Sequence, residues 1–233
     1  MLAPMRGERE ASIWVVVPAY NEAPVIAPVI TQLIKLNYSV LIVDDGSTDR
    51  SGQVAALAGA RVVTHPVNLG QGAALQTGIK FALRQGADYI VTFDADGQHQ
   101  AADIARLVEA LPLHDADFAL GSRFLGASVG ITSSRRMLLK AAVWFTRMTT
   151  GLKVTDTHNG LRAMTRRGAG QIALRQNRMA HASEILEQIG RCGLRYVEVP
   201  VTIEYSRYSM AKGQRLADSL LILFDLSAQR LHR

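Results

Sequence analysis

Apolar runs that alternate with helix-like segments restrict the fold of this chain more than any other feature of the sequence. In chain order, the runs are SIWVVVP, YSVLIVDDGS, AGARVVTHP, DYIVTF and ADFALGSRF. Continuous apolar strands separated by helices are typical of parallel sheets whose two faces are both covered. We therefore expect an α/β fold with a Rossmann-like, mixed but mostly parallel sheet flanked by helices.

Two of the connecting segments carry helix signals. Asn21 follows the first strand and is a suitable N-cap for a helix. The apolar positions of that helix are Val25, Val29, Leu33 and Leu36. The segment GAALQTGIKFALRQG predicts another helix, which Gly86 ends. The second half predicts a basic amphipathic helix, a helix near residues 181–191, the strand LRYVEVPVTIEY and a final helix.

Polar residues follow the first four predicted strands at the point where each strand ends. They occupy residues 18–22, 44–45, 68–72 and 94–99. The carboxyl ends of parallel strands meet at one edge of a sheet, and ligands bind there in open α/β folds. The chain has neither a G-x-G-x-x-G after its first strand nor a G-x-x-x-x-G-K-[ST] motif, so a classical dinucleotide fold and a P-loop ATPase are disfavoured.

Charge and targeting signals restrict the partners. The formal net charge of +6 suits an anionic ligand, a nucleic acid or an acidic membrane surface. Nucleic acid is not expected, because no basic helix is interleaved with aromatic residues on a sheet face. The single cysteine, Cys192, indicates a reducing compartment. Neither the N-terminus nor the apolar run SLLILF predicts a signal peptide or a membrane span. We expect a cytoplasmic protein and leave peripheral contact with the cytoplasmic face of the membrane open.

Two carboxylates at the end of the fourth strand need an explanation. Asp94 and Asp96 lie in DADGQH, with Gln98 and His99 directly behind them. A turn needs at most one such acid to bond its own backbone. Carboxylate and amide oxygens suit a divalent cation, whereas two close acids can also share a proton. The residues alone leave three roles open: a metal site, an acid–base pair and a structural helix or turn cap.

The order of the motifs resembles a known family. PAYNE, VDDGSTD, NLGQGAALQTGI and DADGQH resemble the nucleotide-sugar-binding half of family 2 glycosyltransferases, the inverting GT-A type. TDTHNGLRAMTR and YSRYSMAKGQR extend the likeness to polyprenyl-phosphate sugar transferases such as dolichol-phosphate mannosyltransferase. The resemblance implies one GT-A domain over residues 1–233. Its parts would be a donor half at about 12–125, an acceptor half at about 126–215 and an amphipathic C-terminal helix at 216–233.

The resemblance also implies a site for a UDP- or GDP-linked sugar. The residues expected to bind this donor are Pro18, Tyr20, Glu22, Asp45, Gly70, Gly72, Asp94, Arg207, Ser209 and Lys212. The first three would surround the nucleobase, and Asp45 would bond the base or the ribose. Gly70 and Gly72 would let the start of a helix approach phosphate. The last three would form a basic loop that closes over the donor phosphates.

The implied metal is Mg²⁺ or Mn²⁺, held by Asp94, Asp96 and Gln98, and acting as a Lewis acid on the departing diphosphate. The alternative for Asp94 is contact with the sugar or ribose. Arg123 would bind a phosphate through two parallel hydrogen bonds. Together with Asp96 and Glu184, Arg123 is expected to be catalytic.

Arg162 would face the phosphate of an acceptor, either a polyprenyl phosphate or another cell-envelope glycan acceptor. Glu184 is the candidate general base, although an ionised phosphate acceptor needs none and Glu184 would then orient substrate. Two rival functions remain. A sugar nucleotidyltransferase would carry a basic glycine-rich loop after the first strand, which PAYNEAP lacks, and a non-catalytic nucleotide-sugar-binding scaffold would not need the intact acid pair.

Residues 135–150 predict an amphipathic helix with two different faces. Arg136, Lys140 and Arg147 form a basic stripe. The apolar arc comprises Met137, Leu138, Ala141, Phe145 and Met148, with Trp144 at its boundary. Such a helix suits an anionic membrane interface or a core contact with snorkelling cations, and we favour the core contact slightly. The final helix leaves the same choice, with an apolar side formed by Leu216, Leu220, Leu223, Phe224 and Leu231.

Overall fold

A seven-stranded sheet forms the centre of the computed structural model, which describes residues 11–176 and 180–205. The strands are β1 (Ile13–Ala19), β2 (Ser39–Asp44), β3 (Arg61–Thr64), β4 (Tyr89–Thr92), β5 (Phe118–Val129), β6 (Arg162–Thr165) and β7 (Tyr196–Glu204). The helices are α1 (Ile26–Lys35), α2 (Ser51–Leu57), α3 (Gln71–Arg84), α4 (Asp103–Leu113), α5 (Ser133–Thr150), α6 (Arg166–Gln171) and α7 (Ala180–Arg191). The strand order is β3-β2-β1-β4-β6-β5-β7.

The apolar runs become strands that are buried on both faces, as the sequence predicts. Along β1, Val15 and Val17 pack into one hydrophobic core with α1 and α4, while Trp14 and Val16 pack into a second core with α3 and α7. Successive side chains of a strand point to opposite faces, so a continuous apolar run supplies both cores. The expected α/β class with helices on both faces is confirmed.

One strand runs against the others. β6 is antiparallel to both of its neighbours, β4 and β5, whereas β1 pairs in parallel with β2 and with β4, and β5 pairs in parallel with β7. The sheet is therefore mixed but mostly parallel, as expected. The register of the β4–β6 pair places Arg162 opposite Thr92. Arg162 thus lies beside the end of β4, close to the acids that follow it.

The start of α1 differs from the prediction. Asn21 does not cap the helix: its backbone is left-handed, at φ 55°, and its side-chain oxygen accepts hydrogen bonds from the backbone N–H groups of Thr48 and Asp49. Val25 is the N-cap, without a side-chain hydrogen bond. Leu36 lies beyond the helix and is exposed. Asn21 therefore connects two loops at the carboxyl edge of the sheet rather than starting a helix.

The favoured interpretation of residues 135–150 is wrong for most of its predicted apolar arc. α5 buries Ala142, Val143 and Thr146, whereas Met137 and Met148 are exposed. Among the described residues, no helix combines the length and the apolarity that crossing a membrane requires. Arg207, Ser209, Lys212 and the predicted final helix lie outside the described residues.

Candidate active site

A cavity of about 440 Å³ opens at the carboxyl edge of the sheet. The predicted site residues that line it are Pro18, Tyr20, Glu22, Asp45, Gly70, Asp94, Asp96, Gln98, Arg123 and Arg162. Cavities of this size are typical of small-molecule sites. Residues from both halves of the chain therefore meet around one space.

The parallel pairing of the strands brings these residues together. Register pairs Ala19 with Asp44 at the ends of β1 and β2, and β4 ends at Thr92 on the other side of β1. The polar residues that follow each strand leave the sheet at the same edge. The topology explains why motifs far apart in sequence face the same cavity.

The two acids after β4 have different surroundings. The carboxylate of Asp94 accepts hydrogen bonds from Nε2 of Gln71 at 3.1 Å and from Nε2 of His99 at 2.9 Å. The backbone of Gly160 packs closely against the Asp94 carboxylate, since a Cβ at Gly160 would lie 2.1 Å from Oδ2 of Asp94. Asp96 accepts one bond at Oδ1, from the backbone N–H of Gln98 at 3.1 Å. Asp94 is therefore fixed by its neighbours, and Asp96 is the carboxylate with more free ligand capacity.

The electrostatic environment separates the two acids further. Burial and the nearby charge of Asp94 raise the pKa of Asp96 to about 6. Burial also acts to raise the pKa of Asp94, but the hydrogen bond from His99 and the charges of His99, His181 and Arg162 hold it below its usual value. The cavity thus contains an ionised Asp94 whose charge disfavours ionisation of Asp96. A cation between the two acids would relieve that repulsion.

These residues fit a hard divalent cation that also uses substrate oxygens. Within residues 11–176 and 180–205, no three His, Cys, Asp or Glu side chains are grouped so that they form a metal site by themselves. Mg²⁺ is commonly held by one or two carboxylates, with phosphates and water completing its octahedron. Asp96, with Asp94 and the amide of Gln98 beside it, supplies oxygen ligands of that kind.

Arg123 is buried and held on three sides. Its Nε donates to Asp156 at 2.6 Å, its Nη1 to the hydroxyl of Tyr205 at 2.6 Å and its Nη2 to the carbonyl of His158 at 2.8 Å. Burial disfavours the charge, but Asp156 and Tyr205 raise the pKa of Arg123 above its usual value. Arg123 is thus a fixed cation at the wall of the cavity, and its rotamer is set before any ligand arrives.

Arg162 is also buried, but in the described part of the chain its hydrogen bonds are longer and fewer than those of Arg123. Its Nη2 donates to the carbonyls of Thr157 at 3.3 Å and Ala182 at 3.5 Å, and it forms no ion pair with a carboxylate of the described residues. Burial lowers the pKa of Arg162 to about 10, even though Asp94 and Asp156 act in the opposite direction. A buried cation with so little compensation is suited to an anion that enters the cavity.

The structure adds a third arginine that the sequence prediction missed. Arg135, in the first turn of α5, lines the cavity, and its guanidinium lies 5.0 Å from the ring centre of Tyr205. The hydroxyl of Tyr205 accepts from Arg123, so Tyr205 connects the two cations. His99, His158, Asn159 and His181 also line the cavity. Arg135 belongs to an amphipathic helical pattern, which gives no sign that the first turn of the helix faces the site.

Asp45 lines the cavity mainly as a loop anchor. Its carboxylate accepts from the backbone N–H groups of Leu69 at 3.0 Å and Gly70 at 2.7 Å, and Nδ1 of His65 lies 2.7 Å from it. Gly70 has φ 95°, a conformation that side-chain-bearing residues rarely adopt. Asp45 therefore fixes the loop that leads into α3 and positions the start of that helix at the cavity.

Of the predicted site residues that the structure describes, two do not line the cavity. Gly72 packs against the loop before residue 177, since a Cβ there would lie 2.1 Å from the carbonyl oxygen of Gln176. The carboxylate of Glu184 accepts from the backbone N–H groups of Arg175 at 3.0 Å and Gln176 at 2.9 Å. Gly72 and Glu184 thus shape one loop beside the cavity, and the carboxylate of Glu184 is committed to backbone groups.

For the sugar transfer that the sequence resemblance implies, Glu184→Gln is expected to keep activity within about tenfold of wild type, because the amide oxygen can still accept from the backbone of residues 175–176. Loss of a general base costs about 10²–10⁴-fold. Steady-state transfer rates of the purified variant distinguish the two roles. A drop of about 10³-fold with an unchanged melting temperature would restore Glu184 as the base.

The chain matches a known protein family and several named relatives. The family described as "Glycosyl transferase family 2" matches residues 14–170. The UDP-N-acetylglucosamine–dolichyl-phosphate N-acetylglucosaminyltransferase of Methanococcus voltae is 30% identical, covering 92% of this chain and 94% of its own. The undecaprenyl-phosphate mannosyltransferase of Micrococcus luteus is 32% identical, covering 80% of this chain and 81% of its own.

A solved structure has the same fold. Glucosyl-3-phosphoglycerate synthase from Mycobacterium tuberculosis, in complex with Mn²⁺ and UDP-glucose, aligns with a TM-score of 0.72 at 21% identity. The alignment covers 96% of this chain and 79% of that one. At this level of identity the likeness shows a shared GT-A fold.

Proposed function

Because the chain belongs to glycosyl transferase family 2, we propose that it transfers a sugar, with inversion and with a divalent metal, from a nucleoside-diphosphate sugar to a polyprenyl phosphate. The observation that carries the proposal is the composition of the cavity, where an acid pair and three arginines face the same space. The acid pair suits the metal and diphosphate of the donor, and the arginines suit the phosphate of the acceptor. The relatives that act on dolichyl and undecaprenyl phosphates support the acceptor class.

The donor half of the site would lie at the ends of β1 and β2. Tyr20 is 40% exposed and can stack on a nucleobase, beside the rigid ring of Pro18. The carboxylate of Glu22 can accept from a ring N–H of uracil or guanine. A Mg²⁺ or Mn²⁺ ion held by Asp96, with Asp94 and Gln98, would supply Lewis-acid stabilisation of the departing diphosphate. We assign Arg207, Ser209 and Lys212 to the same donor phosphates.

The acceptor half would use the three arginines. Arg162 and Arg135 would bind the acceptor phosphate, and Arg123 would hold a phosphate oxygen in a fixed position. An oxygen of that phosphate forms a bond to the anomeric carbon of the sugar. At the same time, the bond from this carbon to the diphosphate breaks, and the leaving oxygen takes its electron pair. The acceptor oxygen is already ionised near neutral pH, so the transfer needs no protein base.

Calorimetric titration of the full chain with UDP and with GDP, each with and without Mn²⁺, tests the donor assignment. We expect one nucleotide to bind, and to bind at least about tenfold more tightly with the metal. Conversion of polyprenyl phosphate to its glycosylated form by the matching nucleotide sugar tests the reaction. Nucleotide binding without transfer to any polyprenyl phosphate would favour a binding scaffold, and no nucleotide binding would reject the proposal.

A further inference from the structure

α5 has an exposed face that nothing in the proposed reaction explains. Met137, Trp144 and Met148 are 72%, 66% and 69% exposed. With Ala141, which is also exposed, they recur at the spacing of successive helical turns and form one stripe. Large apolar side chains at such exposure are unusual when they are contiguous. The stripe is therefore a candidate interaction surface.

The stripe points away from the protein core. α5 packs through Ala142, Val143 and Thr146, and its neighbour in the fold is α7. At 3.6 residues per turn, Met137, Trp144 and Met148 lie on the opposite side of the helix from Ala142 and Thr146. The helix thus has one apolar strip for the core and a second, separate strip that faces outward.

A basic stripe runs beside the outward strip. Arg136, Lys140 and Arg147 are exposed and line a groove of about 490 Å³ together with Trp144 and Phe124. None of the three cations forms an ion pair with a carboxylate of the described residues. α5 carries four cations and no acid. We call the exposed side formed by Arg136, Met137, Lys140, Ala141, Trp144, Arg147 and Met148 the α5 outer face.

The first turn of the same helix reaches the cavity. Arg135, one residue before the outer face begins in sequence, lines the cavity. At 3.6 residues per turn, Arg135 lies on the side of α5 that carries Ala142 and Thr146, opposite the outer face. One helix thus contributes to the site with one side and carries the apolar, cationic surface on the other.

We propose that the α5 outer face docks on the surface of an anionic lipid bilayer. The combination of a basic stripe with an adjacent strip of Trp and Met is the pattern of helices that lie in the membrane interface, where cations contact lipid phosphates and Trp sits at headgroup depth. The inference rests on the proposed function. A polyprenyl phosphate resides in a bilayer, and docking would let its phosphate reach the arginines of the cavity.

Vesicle binding tests the proposal without donor or acceptor. The full chain is mixed with phosphatidylcholine vesicles that contain or lack phosphatidylglycerol, and without polyprenyl phosphate. We expect co-sedimentation with the anionic vesicles and little with the neutral ones. Trp14 is 4% exposed and Trp144 is 66% exposed, so a blue shift of tryptophan emission on binding, absent in Trp144→Phe, reports entry of α5 into the interface.

Charge reversal on the α5 outer face provides the matched comparison. Arg136→Glu with Lys140→Glu is expected to lower the partition coefficient at least about tenfold, since each basic residue near an anionic surface contributes about fivefold. Lys35→Glu with Lys80→Glu makes the same change in net charge at exposed positions on α1 and α3. This control is expected to bind almost as the wild type does.

Three outcomes would overturn the proposal. One is no binding to anionic vesicles, and another is an equal loss of binding in the control pair. The third is Trp144 emission that is already blue-shifted and protected from iodide before lipid is added, which would mean that residues 206–233 or a second copy of the chain covers the face. Nucleotide binding is measured on the same samples, so failure of docking with intact nucleotide binding rejects only the docking.

Discussion

Asp96→Asn is expected to reduce glycosyl transfer at least about 10³-fold while the protein remains folded. The substitution removes the negative charge and keeps an oxygen that can accept from the backbone N–H of Gln98, which is the hydrogen bond of Asp96 in the structure. The proposed metal would then lose its most available carboxylate. Activity assays across a Mn²⁺ titration measure the loss, and calorimetry with the preferred nucleotide measures whether the metal still strengthens binding.

Asp96→Asn is not expected to destabilise the folded protein in the absence of metal. Burial and the charge of Asp94 raise the pKa of Asp96 to about 6, so the folded protein without metal disfavours the ionised carboxylate more than the unfolded chain does. A neutral amide removes that repulsion at neutral pH. The melting temperature without metal is therefore expected to be unchanged or higher.

Asp115→Asn is the matched control for Asp96→Asn. Asp115 is an exposed acid outside the cavity and pairs with Arg195 at the surface, where an ion pair contributes about 0–1 kcal/mol. Its loss is expected to leave transfer unchanged. Near-normal turnover of Asp96→Asn without added metal would remove the metal role from the acid pair.

The donor side of the site could be predicted from sequence because its residues follow continuous apolar runs. A buried parallel strand leaves a strong signal in the sequence, and its carboxyl end fixes where the next residues lie. This signal alone is enough to place Asp94 and Asp96 at the edge of the sheet. Asn21 shows the limit of such reasoning, since a residue type that suits a helix cap also suits a left-handed loop position, and the bonds to Thr48 and Asp49 decide between them.

The family resemblance named Arg162 for the acceptor, but strand patterns could not place Arg162 in the fold, for a topological reason. β6 (Arg162–Thr165) enters the sheet antiparallel between β4 and β5. Its sequence, RAMT, is not a continuous apolar run, so the pattern that predicts the other strands does not predict this one. Its first residue, Arg162, nevertheless pairs with Thr92 and so lies beside the acids. Arg135 was missed for a related reason, because helical periodicity defines the faces of α5 but not which end of the helix meets the cavity.

Arg162→Met is expected to lower kcat/KM for the polyprenyl phosphate about 10²–10³-fold and to leave nucleotide binding intact. Arg162 is buried and, within the part of the chain that the structure describes, donates only two long hydrogen bonds, to the carbonyls of Thr157 and Ala182. An acceptor phosphate would be the first strong partner of its guanidinium. Methionine fills similar space without the charge, so the effect on transfer comes from the lost cation.

Arg123→Met is the variant to compare with Arg162→Met, because Arg123 has a structural ion pair and Arg162 has none among the described residues. Removing Arg123 leaves the carboxylate of Asp156 buried and unpaired, which costs about 3–5 kcal/mol of folding free energy.

Arg162→Met leaves no carboxylate without its ion pair and removes a cation whose pKa burial has lowered to about 10. Its free energy of unfolding is therefore expected to equal or exceed that of the wild type in urea denaturation. Equal destabilisation of the two variants, or an Arg162→Met enzyme with wild-type kcat/KM for the lipid phosphate, would contradict the assignment. A buried cation whose removal leaves the fold as stable as before, but lowers activity toward the lipid phosphate, would have its role in binding that anion.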